Sequence, residues 1–251
     1  MSKLAIIGGT GLAHLSELKI VNKQMVNTPY GPASAPLITG ELCSESVIFI
    51  ARHGHGHTIP PHKINYQANI WALKSLGVEQ IIAVAAVGGI TEKMSPKTIV
   101  IPDQLIDYTY GREHTFFSDD FNPDRHVDFT NPYNNRLRRA MLSIAGESTF
   151  NIVDGGTYGA TQGPRLETAA EINKLERDGC DIVGMTGMPE AVLSRELEMQ
   201  YATCAVVANW GAGRCSNEIT MTEIETNLID GMKNVRTLIE KTLPLVLSDK
   251  C

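Results

Sequence analysis

Three histidines alternate in Arg52-His53-Gly54-His55-Gly56-His57, a spacing that can place them on one face of an extended segment. Two chemistries suit such a segment. Alternating imidazoles occur in metal-dependent hydrolases, so His53, His55 and His57 could begin a metal site. A metal would need further His or carboxylate ligands from later strands, and no histidine follows His126. The second chemistry is anion binding. Arg52 offers a bidentate fork to an oxyanion and His53 a hydrogen-bond donor, with His55 in solvated loop. A second anion candidate is Gly8-Gly9-Thr10-Gly11, where main-chain N–H groups and the Thr10 hydroxyl could hold one phosphate. It is not a dinucleotide fingerprint, because the third glycine of G-x-G-x-x-G would fall at His14. Asn209 ends the apolar run Val206-Val207-Ala208. Its amide can donate and accept toward a ligand or serve turn chemistry. Glu167 can accept from a ligand or favour a helix start.

These residues need elements to hold them. Apolar, β-rich runs predict strands at Lys3–Gly8, Ser46–Ala51, Gln80–Ala85, Thr98–Ile101, Asp181–Val183 and Thr203–Ala208. Most are apolar almost throughout, as suits strands covered on both faces. Between them lie helical patterns. Tyr66, Ile70 and Leu73 follow i, i+4, i+7, and Ile224, Leu228, Met232, Val235 and Ile239 share a face of a last helix that Pro244 should end. Alternating strands and helices predict an α/β fold with a mixed central β-sheet flanked by helices. In such sheets ligands sit beyond the carboxyl ends of the strands, where Thr10, Arg52 and Asn209 fall.

The chain has 251 residues, 43% of them hydrophobic and 20% charged. With no repeat, linker or low-complexity block, residues 1–251 read as a single domain. A net charge of −6 argues against a nucleic-acid partner. No apolar stretch reaches the roughly 20 residues of a membrane span, and the amino terminus lacks the apolar region of a signal peptide. The five cysteines show no C-x-x-C spacing and predict reduced thiols in a cytoplasmic protein.

Five segments occur in order: Gly8-Gly9-Thr10-Gly11-Leu12, Ala51-Arg52-His53-Gly54, Asn65 to Leu73, Gln162-Gly163-Pro164-Arg165-Leu166-Glu167-Thr168, and Gly184-Met185-Thr186-Gly187-Met188-Pro189-Glu190. Together they resemble the trimeric purine nucleoside phosphorylase and methylthioadenosine phosphorylase family, over nearly the whole chain. The resemblance implies the phosphorylase/hydrolase-like fold. It implies a phosphate site of Thr10, Arg52, His53, Thr186 and the main chain of Ala86. Ala85 departs from the hydroxyl or amide residue often found there. Met185 is implied against the ribose, Leu166 against the base, and His126 reaching a neighbouring active site of a homotrimer. Inorganic phosphate is then a co-substrate, and neither metal nor cofactor is implied. Arg52, Thr186 and Asn209 become the catalytic residues.

The family divides by base. Adenine-directed members carry aspartate at the position of Asn209, whereas 6-oxopurine members carry a glutamate corresponding to Glu167. Hypoxanthine has an N1–H that a carboxylate accepts. Adenine N1 is itself an acceptor, and an opposed pair of that kind costs on the order of 1–3 kcal/mol. Members that bind a 5'-hydroxyl place a histidine at the start of the last helix, where this chain has Ile219, Met221 and Ile224. Those side chains suit a methylthio group. The expectation is phosphorolysis of methylthioinosine in purine salvage. Methylthioadenosine or inosine/guanosine phosphorolysis, a nucleoside hydrolase, a non-catalytic nucleoside binder and the metal-dependent hydrolase remain alternatives.

Overall fold

The computed structural model describes residues 3–9, 12, 18–120, 122–216 and 218–247. In chain order the strands and helices are β1 (Lys3–Gly8), β2 (Lys19–Gln24), β3 (Asn27–Thr28), β4 (Gly31–Pro32), β5 (Leu37–Leu42), β6 (Glu45–Ala51), α1 (Tyr66–Ser75), β7 (Val78–Gly89), β8 (Ile99–Ile101), β9 (Gln104–Asp107), α2 (Asn135–Ser143), β10 (Ile152–Asp154), β11 (Thr157–Ala160), α3 (Ala169–Arg177), β12 (Ile182–Gly184), α4 (Gly187–Glu196), β13 (Gln200–Trp210) and α5 (Met221–Leu247). The predicted α/β class with a mixed sheet holds.

The longest strands, β7 and β13, are buried almost throughout and pair in parallel at the centre. The main path runs β10-β8-β13-β7-β1-β6-β5-β2. The pairs β1–β6, β1–β7 and β7–β13 are parallel, and β5–β6 and β2–β5 are antiparallel. An arm of β12, β11 and β9 joins where β12 runs antiparallel to the last residues of β7. Helices cover the sheet: α5 packs on β13, and α4 lies between β13 and α1. Local signals set the helix starts. The Asn65 side chain accepts from the Ala68 N–H at the head of α1, and Thr168 and Glu171 form a reciprocal capping box on α3.

Pro244 does not end the last helix. α5 continues to Leu247 with Pro244 inside it. The final turn is held by packing, since Leu243 and Val246 are buried, and Arg136 Nη2 donates to the Val246 carbonyl. Tertiary burial here outweighs the hydrogen bond that proline removes.

Candidate active site

The parallel strands deliver their carboxyl ends to one side of the sheet. Gly8 of β1 pairs with Ala51 of β6, so Gly9 and Arg52 emerge side by side. A Cβ at Gly9 would strike the Val84 carbonyl and approach Arg52 Nη1, which is why only glycine fits between β1, β6 and β7. Gly9, Arg52, Ala86, Thr186, Asn209 and Glu167 line one cavity of about 420 Å³. His53, Ala85, Met185, Leu166, Ile219, Met221 and Ile224 share its wall. Residues 157 positions apart in the chain, Arg52 and Asn209, are thus joined by the order of the strands. Leu166 and Met221 are 43% and 63% exposed, which places them at the open side. Thr10 lies outside the described residues. His126 lines a separate cleft with Phe117, Phe129 and Val192, so in a single chain it does not join this cavity.

Arg52 is 1% exposed, and three of its N–H groups are already engaged by the protein. Nε and Nη2 donate to the two oxygens of Glu190 at 2.6 and 2.7 Å, and Nη1 donates to the Val84 carbonyl at 2.8 Å. The expected bidentate grip on an oxyanion is therefore corrected. A buried guanidinium needs a buried carboxylate, and two of its five N–H donors remain for an anion. Burial opposes the charge on Arg52, and the adjacent Glu190 carboxylate outweighs it, raising the pKa further above its ordinary value. Tyr201 Oη also donates to Glu190.

His53 departs from expectation as well. Its Nδ1 stands 2.9 Å from the Ile59 carbonyl, so that nitrogen carries the proton and donates to the main chain. Burial first, then the Arg52 charge and His57, push the imidazole pKa down to about 4. The ring is neutral at pH 7 and its Nε2 is an acceptor, suited to a protonated phosphate oxygen rather than to a bare one. The consequence for stability has a definite sign. The unfolded imidazole takes up its proton near 6.5 and the folded one only near 4. Stability is complete above 6.5 and falls as the pH drops through that window, by about 3 kcal/mol. Urea denaturation at pH 7 and pH 5 should show a smaller fall for His53→Asn; equal falls would remove His53 as its source.

His57 and His53 stack, with ring centroids 4.2 Å apart and planes tilted 31°. Among the described residues, no group of three or more His, Cys, Asp or Glu side chains is placed to hold one metal ion.

Thr186 precedes α4 and is 7% exposed; its side chain makes no capping bond. Its hydroxyl and its N–H both face Tyr158 Oη, the N–H at 3.4 Å, so the hydroxyl stands at the cavity wall with Tyr158 as its partner there. A Cβ on neighbouring Gly184 would collide with that same Tyr158 oxygen. A Gly184→Ala variant is expected to lose about 1–3 kcal/mol by overpacking, measured by urea denaturation. Unchanged stability would mean that Tyr158 can step aside.

Asn209 is placed by an irregularity. Pairing of β13 with β7 runs in one register through Val207↔Val87 and resumes at Asn209↔Gly88. Ala208 is the extra residue of a β-bulge, a device that re-aims side chains near functional sites. The Asn209 Nδ2 donates to the Trp210 carbonyl at 2.7 Å. One N–H of the amide is therefore already engaged, leaving one N–H and the oxygen. Glu167 Oε1 accepts from Thr161 Oγ1 at 2.7 Å.

Sequence reasoning gave no role to Glu190, Tyr158, Tyr201 or Thr161. Glu190 had a signal: a carboxylate inside the otherwise apolar Met188-Pro189-Glu190-Ala191-Val192-Leu193 must find a cation if that stretch is buried. The others had none: Thr161, Tyr201 and Tyr158 meet their partners 6, 11 and 28 positions away, spacings that belong to no local motif.

A model of the phosphorylase superfamily matches residues 3–244. A relative from Pseudomonas syringae pv. tomato, a probable S-methyl-5'-thioinosine phosphorylase, is 51% identical over 97% of this chain and 99% of its own. The 6-oxopurine nucleoside phosphorylase of Pyrococcus furiosus is 44% identical over 100% of this chain and 95% of its own. Among solved structures, methylthioadenosine phosphorylase from Schistosoma mansoni in complex with adenine superposes with a TM-score of 0.93 at 29% identity. That match covers 100% of this chain and 93% of the other.

Proposed function

The chain belongs to the phosphorylase superfamily, and from that premise we propose that it is a purine nucleoside phosphorylase that splits methylthioinosine with inorganic phosphate, releasing hypoxanthine and 5-methylthioribose 1-phosphate. The observation that carries the reading is the single cavity in which a buried cation, Arg52, and two purine-reading groups, Glu167 and Asn209, share one wall.

Phosphate oxygen attacks C1' as the bond to the base breaks, and the electron pair of that bond passes to the purine. The sugar becomes oxocarbenium-like. The protein must therefore hold the anion beneath C1' and stabilise charge on the base. Two N–H groups of Arg52 and the Thr186 hydroxyl hold the phosphate, with Ala86 contributing main chain and Thr10 its hydroxyl. The neutral His53 accepts from a phosphate O–H, and Met185 lies along the ribose. Neither metal nor cofactor takes part in this scheme. Asn209 donates to O6 or N7 as charge builds. Glu167 accepts the N1–H, while Leu166 packs on the base. Ile219, Met221 and Ile224 offer apolar surface to the methylthio group at about 25 cal/mol per Å². The similarity to 6-oxopurine phosphorylases supports the base assignment, and methylthioadenosine is the in-family alternative favoured by the structural likeness.

The proposal extends to a homotrimer in which His126 serves a neighbouring site, to action as one catalytic domain over residues 1–251, and to purine salvage. A cytoplasmic location suits the unpaired, buried Cys180 and Cys204 thiols. No described helix is long and apolar enough to cross a membrane.

Base release from methylthioinosine and methylthioadenosine, each with and without phosphate, tests the reading. Phosphate-dependent hypoxanthine release with little adenine is expected. Equal or faster adenine release would keep the phosphorylase and overturn the base assignment, and release without phosphate would make the protein a hydrolase.

A further inference from the structure

Glu167 stands between two spaces. It lines the main cavity and also a neighbouring cleft of about 290 Å³ that contains Arg165 and Lys174. Glu171 lines the same cleft and holds Arg165 at 2.8 and 2.7 Å, so charge alone does not turn the Glu167 carboxylate toward the base site. Glu167 is partly exposed and has rotatable side-chain bonds, so packing alone does not hold it inward. Among the described residues, one donor reaches this carboxylate: Thr161 Oγ1, 2.7 Å from Oε1. The same hydroxyl lies 3.3 Å from the Gly184 carbonyl. With a single proton to give, it favours the shorter and charge-assisted partner.

Thr161 is itself held. Its N–H donates to the Gly184 carbonyl at 2.8 Å. Its carbonyl accepts from Arg112 Nη2 at 3.3 Å, and Arg112 Nη1 also donates to the carbonyls of Met185 and Met188. The hydroxyl therefore projects from a fixed point in the wall of the neighbouring cleft, which Glu167 shares with the cavity.

We propose that Thr161 is the positioning residue for base selectivity: its hydroxyl anchors one oxygen of Glu167, so that the other faces the cavity as an acceptor for the base N1–H. This rests on the 6-oxopurine reading above. An anchored acceptor discriminates between hypoxanthine and adenine. A carboxylate free to swing into the neighbouring cleft leaves the base edge to water, which serves both bases alike.

The test is steady-state phosphorolysis of methylthioinosine and methylthioadenosine by the parent chain, Thr161→Val and Thr161→Ser. Valine keeps the volume and removes the donor, while serine keeps the donor. Thr161→Val is expected to raise KM for methylthioinosine about ten-fold with kcat little changed, and to shrink the preference over methylthioadenosine about as much. Thr161→Ser should restore most of both. A general structural defect would lower turnover of both substrates together and would not be rescued by serine; that pattern overturns the proposal, as does a valine variant with unchanged KM and preference. A parent enzyme without any hypoxanthine preference would overturn the base assignment first and this proposal with it.

Discussion

A Glu190→Gln variant is expected to unfold about 3–5 kcal/mol more easily than the parent chain and to lose phosphate-dependent turnover. Glu190 and Arg52 are 0% and 1% exposed, so water cannot take over when one charge is removed. Glutamine keeps an acceptor but turns an amide N–H₂ toward the guanidinium, leaving a buried cation uncompensated. Arg52 would then shift away from the Gly9 backbone beside it, and the phosphate would lose its anchor. Urea denaturation and phosphorolysis at saturating phosphate measure the two losses. The double variant Arg52→Met, Glu190→Leu separates them. Apolar side chains of similar volume need no partner, so part of the stability should return, short of what the loss of these bonds costs the Tyr201 hydroxyl and the Val84 carbonyl, while activity stays absent. A Glu190→Gln chain within about 1 kcal/mol of the parent would show that the pair is not the structural anchor argued here.

Asn209→Asp should lower kcat/KM for methylthioinosine by about 10²–10³-fold, the usual scale for losing one donor aimed at developing negative charge. In the proposed reading, the amide N–H not engaged by the Trp210 carbonyl is the group that meets O6 or N7. An aspartate replaces it with a lone pair just where the leaving base gains electrons. Adenine release should suffer less, moving the ratio of the two products toward adenine. Parallel kinetics on both nucleosides give the ratio directly, and an unmoved ratio would remove Asn209 as the base reader.

Much of the scaffold was legible because it is buried on both faces. The β1, β7 and β13 runs are apolar nearly throughout, and such runs announce themselves. β2 carries no such message: it is exposed almost along its length, so neither alternation nor an apolar run marks it. The site was legible to the extent that motifs end strands, which placed Arg52 and Asn209 together. Their hydrogen bonds were not. Whether the Arg52 fork meets phosphate or a protein carboxylate depends on Glu190, 138 residues away, and no local pattern encodes that distance. The tautomer of His53 depends likewise on the Ile59 carbonyl, which a loop returns to it. Pro244 illustrates the opposite limit, a strong local rule overridden by the burial of its neighbours.

The extra residue in β13 has a further consequence. Up to Val207 the strand is bound by strict pairing and close packing, and nearly every position there is committed to the core. Beyond Ala208 the pairing resumes one residue out of step, so Asn209 occupies a seat that the interior does not dictate. In the proposed reading, a substitution at that seat changes the contact with the base while the paired residues beneath it keep their register. The bulge thus separates the stretch of the strand that builds the core from the residue that meets the cavity.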